Sequence, residues 1–271
     1  MSPTPQDARI RHFEVAGPLD VSVHVDYGLV RVIACTETTA TVMTAPAIAS
    51  RQHDVEAAQN VRVTLTGDAL DIRGTASGWR RFVRPPAIEV ELEIPQGSRV
   101  TVSTGYADVE VTGTVGACSV RSTGGDLRVE EATRAQLESS YGSVTVGRLE
   151  QGGRIESTHG TVRVRAVAGT TTLTSSSGDV ALDRAGGDLT VRNTYGAVEI
   201  RELWTGTCAV TTSYGSAEIG VPTGTAAYLD LQSQHGRVRS ELEPTGEPDS
   251  GLERASIRAR SSYGAITIRR A

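Results

Sequence analysis

A short phrase written nine times between Thr104 and Ile268 limits what this chain can fold into more than any other feature. The phrase is two small polar residues, often an aromatic, a glycine, and then apolar residues two and four places on. It reads Ser-Ser-Tyr-Gly-Ser-Val-Thr-Val at 139–146, Asn-Thr-Tyr-Gly-Ala-Val-Glu-Ile at 193–200 and Ser-Ser-Tyr-Gly-Ala-Ile-Thr-Ile at 261–268. The glycine position falls at Ala107, Gly125, Gly142, Gly160, Gly178, Gly196, Gly215, Gly236 and Gly264, in steps of 18, 17, 18, 18 and 18 residues that stretch to 19, 21 and 28. A near-constant period of this size belongs to stacked repeats, each burying its apolar face only against its neighbours.

Alternation then assigns the faces. The residues two and four past the glycine are predicted to point inward: Val109 and Val111, Leu127 and Val129, Val144 and Val146, Val162 and Val164, Val180 and Leu182, Val198 and Ile200. A second inward column is Val120, Leu137, Ile155, Leu173, Val191 and Val210, and Leu149, Val167 and Leu203 hint at a third narrow face. The fold class expected is all-β, a parallel β-solenoid (β-helix) of about 18-residue coils with a β-rich N-terminal cap. Glycine at each corner fits a tight turn that needs positive φ; Ala107 departs from that rule.

The rest of the chain divides around the repeats. Residues 1–10 read as a disordered N-terminus and 11–98 as a β-rich cap with irregular first coils, strands being expected at 40–44, 61–65, 69–73 and 87–94. Within it, 26–32 (Asp-Tyr-Gly-Leu-Val-Arg-Val) is a looser copy of the phrase. Residues 50–59 suit a short helix capped by Ser50. Residues 99–271 are the regular repeats, with a loop near 243–254 by its Pro, Gly and Glu content. Arg269 and Arg270 are expected to blunt an exposed edge after the last strand.

Composition narrows the function classes. Of 271 residues, 27 are basic and 32 acidic, a net charge of −5; this mixed surface argues against nucleic acid as a partner. No stretch approaches the roughly 20 apolar residues of a membrane span, and the N-terminus shows no apolar run of a secretory signal. The expected location is therefore cytoplasmic, or the cell surface if a leader is missing. Of the three cysteines, Cys118 and Cys208 hold equivalent places in different repeats, and small buried hydrophobe is the expectation for both. No His or second Cys stands at ligand spacing, so neither metal nor cofactor is expected.

Three features could carry chemistry. Six of seven tyrosines precede a corner glycine or Ala107. Stacking would set Tyr106, Tyr141, His159, Tyr195, Tyr214, His235 and Tyr263 in a column along one edge, read either as a binding strip for sugar or peptide or as a structural ladder over the corner. The pairs Gly125-Asp126, Gly178-Asp179 and Gly187-Asp188 resemble calcium-binding nonapeptide rolls. The full Gly-Gly-x-Gly-x-Asp pattern is absent, and a calcium ladder needs oxygens from successive turns. Residues 78–86 gather Trp79, Arg80, Arg81, Phe82 and Arg84, a mixture suited to a partner-binding loop or to a cap over an open end. No nucleophile–base–acid set and no phosphate loop stands out, and no catalytic residue is assigned.

The Tyr-Gly-x-Val-x-Val and Ser-Gly-Asp-Val phrases, preceded by Gly78-Trp79-Arg80 and then by Ile88-Glu89-Val90-Glu91-Leu92-Glu93-Ile94-Pro95-Gln96-Gly97-Ser98, resemble the bacterial putative-adhesin β-strand-repeat family, a domain of unknown function. The resemblance covers nearly the whole chain. It implies a β-solenoid with an adhesive or scaffolding role and supplies no catalytic residues. The function expected is a non-enzymatic scaffold or adhesin-like binding protein facing a protein, itself or a cell-envelope glycan. A carbohydrate-active β-helix enzyme is the alternative.

Overall fold

The computed structural model describes residues 8–74, 85–242 and 253–271. The chain is all-β apart from one short helix, and it forms two compact units, 1–141 and 142–271.

In the first unit the strands are β1 (Arg9–Glu14), β2 (Asp20–Cys35), β3 (Thr39–Pro46), β4 (Arg62–Thr66), β5 (Ala69–Arg73), β6 (Ile88–Pro95), β7 (Arg99–Gly124) and β8 (Leu127–Tyr141), with helix α1 (Gln52–Gln59) after β3. β1 takes in residues 9 and 10, which the sequence reading left disordered; they pair with Thr44 and Met43. β2 lies between strands that come much later in the chain. Its first half pairs in parallel with β5 on one side and β7 on the other, and its second half with β6 and β7. Arg31 marks this layering: its guanidinium reaches Glu91 on β6 at 2.9 Å and Glu110 on β7 at 3.3 Å. β3 and β4 then pair antiparallel with β6 and β5, and β1 antiparallel with β3. α1 lies against β3 and β6. It starts one residue later than Ser50 would place it, with Arg51 at the N-cap position and no side-chain cap. What fixes it is Asp54, fully buried, whose Oδ1 accepts the Ala87 N–H at 3.2 Å.

The second unit contains β9 (Val144–Leu149), β10 (Gly152–His159), β11 (Val162–Ala168), β12 (Thr170–Ser177), β13 (Val180–Gly186), β14 (Leu189–Tyr195), β15 (Val198–Thr212), β16 (Ala217–Val221), β17 (Thr225–Ser233), β18 (Val238–Ser240), β19 (Glu253–Ser261) and β20 (Ile266–Arg270). Among the described residues these strands pair with one another in parallel. One face runs β9, β11, β13, β15, β16, β20, β18. The other runs β10, β12, β14, β15, β19, β17. Register follows the sequence period, Val144 beside Val162 beside Val180 beside Val198. The predicted inward columns are the core, from Val144 at 0% exposure to Val167 at 6%. Leu149, Val167, Ala185 and Leu203 form the third narrow column.

Two features of this unit differ from the sequence reading. The 19-residue step places one extra residue at a β-bulge: Ala185 pairs with Leu203 and Gly186 with Thr205, so Trp204 has no opposite number and is pushed outward, 44% exposed. The last repeat is also not the last layer. β19 lies between β15 and β17, and β20 between β16 and β18. Arg269 and Arg270 therefore do not guard an edge. Arg269 Nε donates to Glu218 at 2.5 Å and Arg270 Nη1 to the Pro222 carbonyl at 3.0 Å, tying β20 to its neighbours.

Candidate functional site

The corner phrase divides its work among four residues. Its first small polar residue is buried and turns back on the corner: Ser122 Oγ donates to the Gly124 carbonyl at 2.7 Å, Thr212 Oγ1 to that of Gly215 at 3.1 Å, and Asn193 Nδ2 to that of Gly196 at 2.9 Å. At Ser233 and Ser261 the hydroxyl instead accepts the N–H of Gly236 and Gly264, at 2.9 and 2.8 Å. These bonds satisfy backbone groups that the sharp bend leaves inside the core. The glycine is covered by its neighbour: a Cβ on Gly178 would stand 2.1 Å from the Gly160 carbonyl oxygen. The aspartate after the glycine clamps the adjoining repeat. Asp179 Oδ1 accepts the Ala197 N–H and Asp108 Oδ1 that of Asp126, both at 2.8 Å, and Asp188 Oδ1 that of Thr207 at 3.1 Å. In two of the Gly-Asp pairs, at Asp179 and Asp188, the carboxylate thus serves a backbone donor. Among the described residues, no group of three His, Cys, Asp or Glu side chains could hold a metal ion.

The aromatic residue is the one left outside. In the second unit Tyr195, Tyr214, Tyr263 and His235 make a continuous stack, with centroids 4.9, 5.1 and 4.8 Å apart and ring planes within 2–18°. The tyrosines are 53, 55 and 56% exposed. The order differs from the sequence order because the repeat carrying Tyr263 is inserted before the one carrying His235. His159 lies in register with Ser177 and Ser177 with Tyr195, so a serine interrupts the column in that repeat. In the first unit Tyr106 stacks on Tyr27 at 5.6 Å, and the next place is Gly124, over which the Tyr106 ring leans. Tyr141 follows beside Gly124. The expected single column is thus a set of segments, and among the described residues the longest stack shown has four rings. Trp79, Arg80, Arg81, Phe82 and Arg84 lie outside the described residues.

The sequence model of one family, Toastrack DUF4097, matches residues 30–269. The chain belongs to the Toastrack DUF4097 family. Three solved structures illustrate the likeness of this Toastrack chain. A putative adhesin from Bacteroides fragilis is 12% identical with a TM-score of 0.49, 98% of each chain being covered. A putative adhesin from Parabacteroides distasonis is 13% identical over 96% of both chains with a TM-score of 0.42. A putative lipid binding protein from the same organism is 10% identical over 97% of this chain and 96% of the other, with a TM-score of 0.35. No curated protein sequence matches.

The outward faces of β13 and β15 in this Toastrack chain are laced with ion pairs. Arg201 meets Glu199 and Asp183, both at 3.1 Å, and Arg184 meets Glu202 at 3.2 Å. The hydrogen bond that Arg201 donates to Glu199, with the Asp183 charge, holds its guanidinium more firmly protonated than usual. Trp204 donates its indole N–H to Glu202 at 3.1 Å. The sequence reading passed over this exposed tryptophan, although the 19-residue step announced an extra residue in its repeat. Cys118 and Cys208 are buried and unpaired, and burial pushes each thiol up to about 12. Among the described residues no helix is long and apolar enough to cross a membrane.

Proposed function

We propose that this Toastrack chain is a non-enzymatic β-solenoid scaffold whose aromatic ladder takes up an extended segment of a partner protein. The four-ring stack Tyr195–Tyr214–Tyr263–His235 carries the reading. In a stack the faces of the inner rings are occupied by one another, so what meets the outside is a row of ring edges and phenol hydroxyls about 5 Å apart. A sugar ring binds an aromatic by its face, whereas apolar side chains and backbone groups of an extended peptide can pack on edges and hydroxyls. Outward carboxylates engaged by arginine, such as Asp183, Glu199 and Glu202, further support a recognition surface over a catalytic one.

The test is a photo-crosslinking phenylalanine analogue at position 214, expressed in the native cell. Discrete cross-linked protein bands are expected, and their loss when Tyr195 and Tyr263 are changed to Ser. Cross-linking to glycan alone would move the reading to the cell envelope polysaccharide. Release of reducing ends from a polysaccharide panel by the purified chain would replace it with the enzyme alternative.

A further inference from the structure

Two repeats do not close their corner as the others do. Ser157 and Ser175 hold the first polar place of their phrases and are 4% and 2% exposed, yet neither hydroxyl has a hydrogen-bond partner among the described residues. The corner glycine explains this. Gly215, Gly236 and Gly264 give their N–H groups to the hydroxyl of their own phrase. Gly160 and Gly178, at φ of +137° and +140°, give theirs to the next layer instead, to the Ser177 and Tyr195 carbonyls, both at 3.0 Å. Asn193, 4% exposed, completes the set. Its Nδ2 donates to two carbonyls, Gly196 at 2.9 Å and Gly178 at 3.2 Å, which fixes which end of the amide is the nitrogen. Its Oδ1 is then a buried acceptor that no described residue serves. Ser157, Ser175 and Asn193 are in register on β10, β12 and β14, so these three polar groups stand in line inside one corner. Buried groups of this kind ordinarily have partners.

We propose that this line is a binding site for water, one molecule bridging Ser157 Oγ to Ser175 Oγ and a second bridging Ser175 Oγ to Asn193 Oδ1. The spacing selects water. Neighbouring strands lie about 4.8 Å apart. A water making two bonds of about 2.8 Å at its tetrahedral angle spans about 4.6 Å, so one molecule fits each gap. The polarity also runs one way. Asn193 Oδ1 only accepts, so its water donates to it and accepts from Ser175. Ser175 in turn accepts from the second water, which accepts from Ser157. Each water keeps one proton for a glycine carbonyl of the corner, as Asn193 Nδ2 uses those of Gly178 and Gly196. Asn193 also shows the room. Its carboxamide fills the space beyond a serine hydroxyl, and the layers at Ser175 and Ser157 repeat that register with a smaller side chain. The first unit shows the dry alternative: Thr104 Oγ1 donates to Ser122 Oγ at 2.9 Å, and Ser122 Oγ to the Gly124 carbonyl at 2.7 Å. The site is internal and does not rest on the ladder's having a partner.

The experiment is a high-resolution crystal structure of the full chain, joined to urea unfolding of Ser175→Ala and Ser175→Asn. An ordered water is expected in each gap. Ser157 and Ser175 hydroxyls turned onto backbone carbonyls, with no density between the layers, would overturn the proposal. Ser175 holds both waters, so Ser175→Ala is expected to raise the unfolding equilibrium constant about tenfold. A hydroxyl that is merely unpaired predicts the opposite sign, because its deletion removes a buried polar group at no loss. A neutral or stabilised Ser175→Ala therefore also overturns the proposal. Ser175→Asn sets a carboxamide where the waters sit and is expected to expel them and keep wild-type stability. A loss as large as that of Ser175→Ala would show that the layer lacks the room, and would count against the waters equally. Should either variant fail to fold, the wild-type structure decides alone.

Discussion

At Gly178 two demands coincide: a φ of +140° and a neighbouring carbonyl that would stand 2.1 Å from any Cβ. At Gly264 only the second remains, with Gly215 O 1.8 Å from the ideal Cβ position and φ outside the left-handed region. Close stacking of one corner on the next, more than the turn itself, is what excludes a side chain. Gly178→Ala is expected to lose about 2–4 kcal/mol, the left-handed backbone cost adding to displacement of the carbonyl, read from the urea midpoint. Gly264→Ala should lose about 1–3 kcal/mol by displacement alone; a neutral result there would refute the stacking account. The thiols offer a second residue-level check. Cys118 and Cys208, with values pushed up to about 12 by burial, stay protonated and enclosed at pH 8. They are expected to resist iodoacetamide in the native chain and to react at once in urea.

Among the elements, β17 depends on Asp230. Bonds first from Arg260 and then from Arg258 hold this carboxyl below its ordinary value of 3.8. Its folded value is thus lower than its unfolded one, so the stabilisation is complete above the unfolded value and is lost as pH falls through the folded one. The stability difference between wild type and Asp230→Asn should therefore be flat from about pH 5 to 8 and shrink below about pH 4. A difference that grows on acidification would contradict the ion pairs. These element-level facts also mark how far the sequence could be read. Inward columns such as Val162, Val180 and Val198 were legible because strand periodicity fixes which face a residue takes. The insertion of β19 and β20 was not, because Ser-Ser-Tyr-Gly at 261–264 is written like any other repeat; the local pattern states a face and a corner, never which neighbour covers it. The 28-residue step before Gly264 was visible but reads equally as a long loop. The ladder residues were legible as a class, while their grouping depended on that hidden order and on Ser177 and Gly124 interrupting the register.

For the whole molecule, the described residues hold three unpaired cysteines and no candidate metal cluster. Melting is expected to be unchanged by dithiothreitol or EDTA; a fall of several degrees with EDTA would return the Gly-Asp corners to calcium. The two units share one further trait: each contains a layer supplied from a distant part of the chain. β2 lies between β5–β6 and β7, and β19–β20 between β15–β16 and β17–β18. Stacked repeats can ordinarily settle one after another as they leave the ribosome. Here residues 225–240 are synthesised before the segment that will separate them from β15 and β16 exists. Until residues 253–270 emerge, β17 and β18 lack the partners they have in the finished fold, and the apolar layer at Cys208, Val210, Ala217 and Ile219 lies open to solvent or to a chaperone. The final step of folding is thus the wedging of a late strand pair between two earlier layers, a slow, long-range event. It makes the nascent chain most prone to aggregate while residues 225–240 are out and residues 253–270 are still to come.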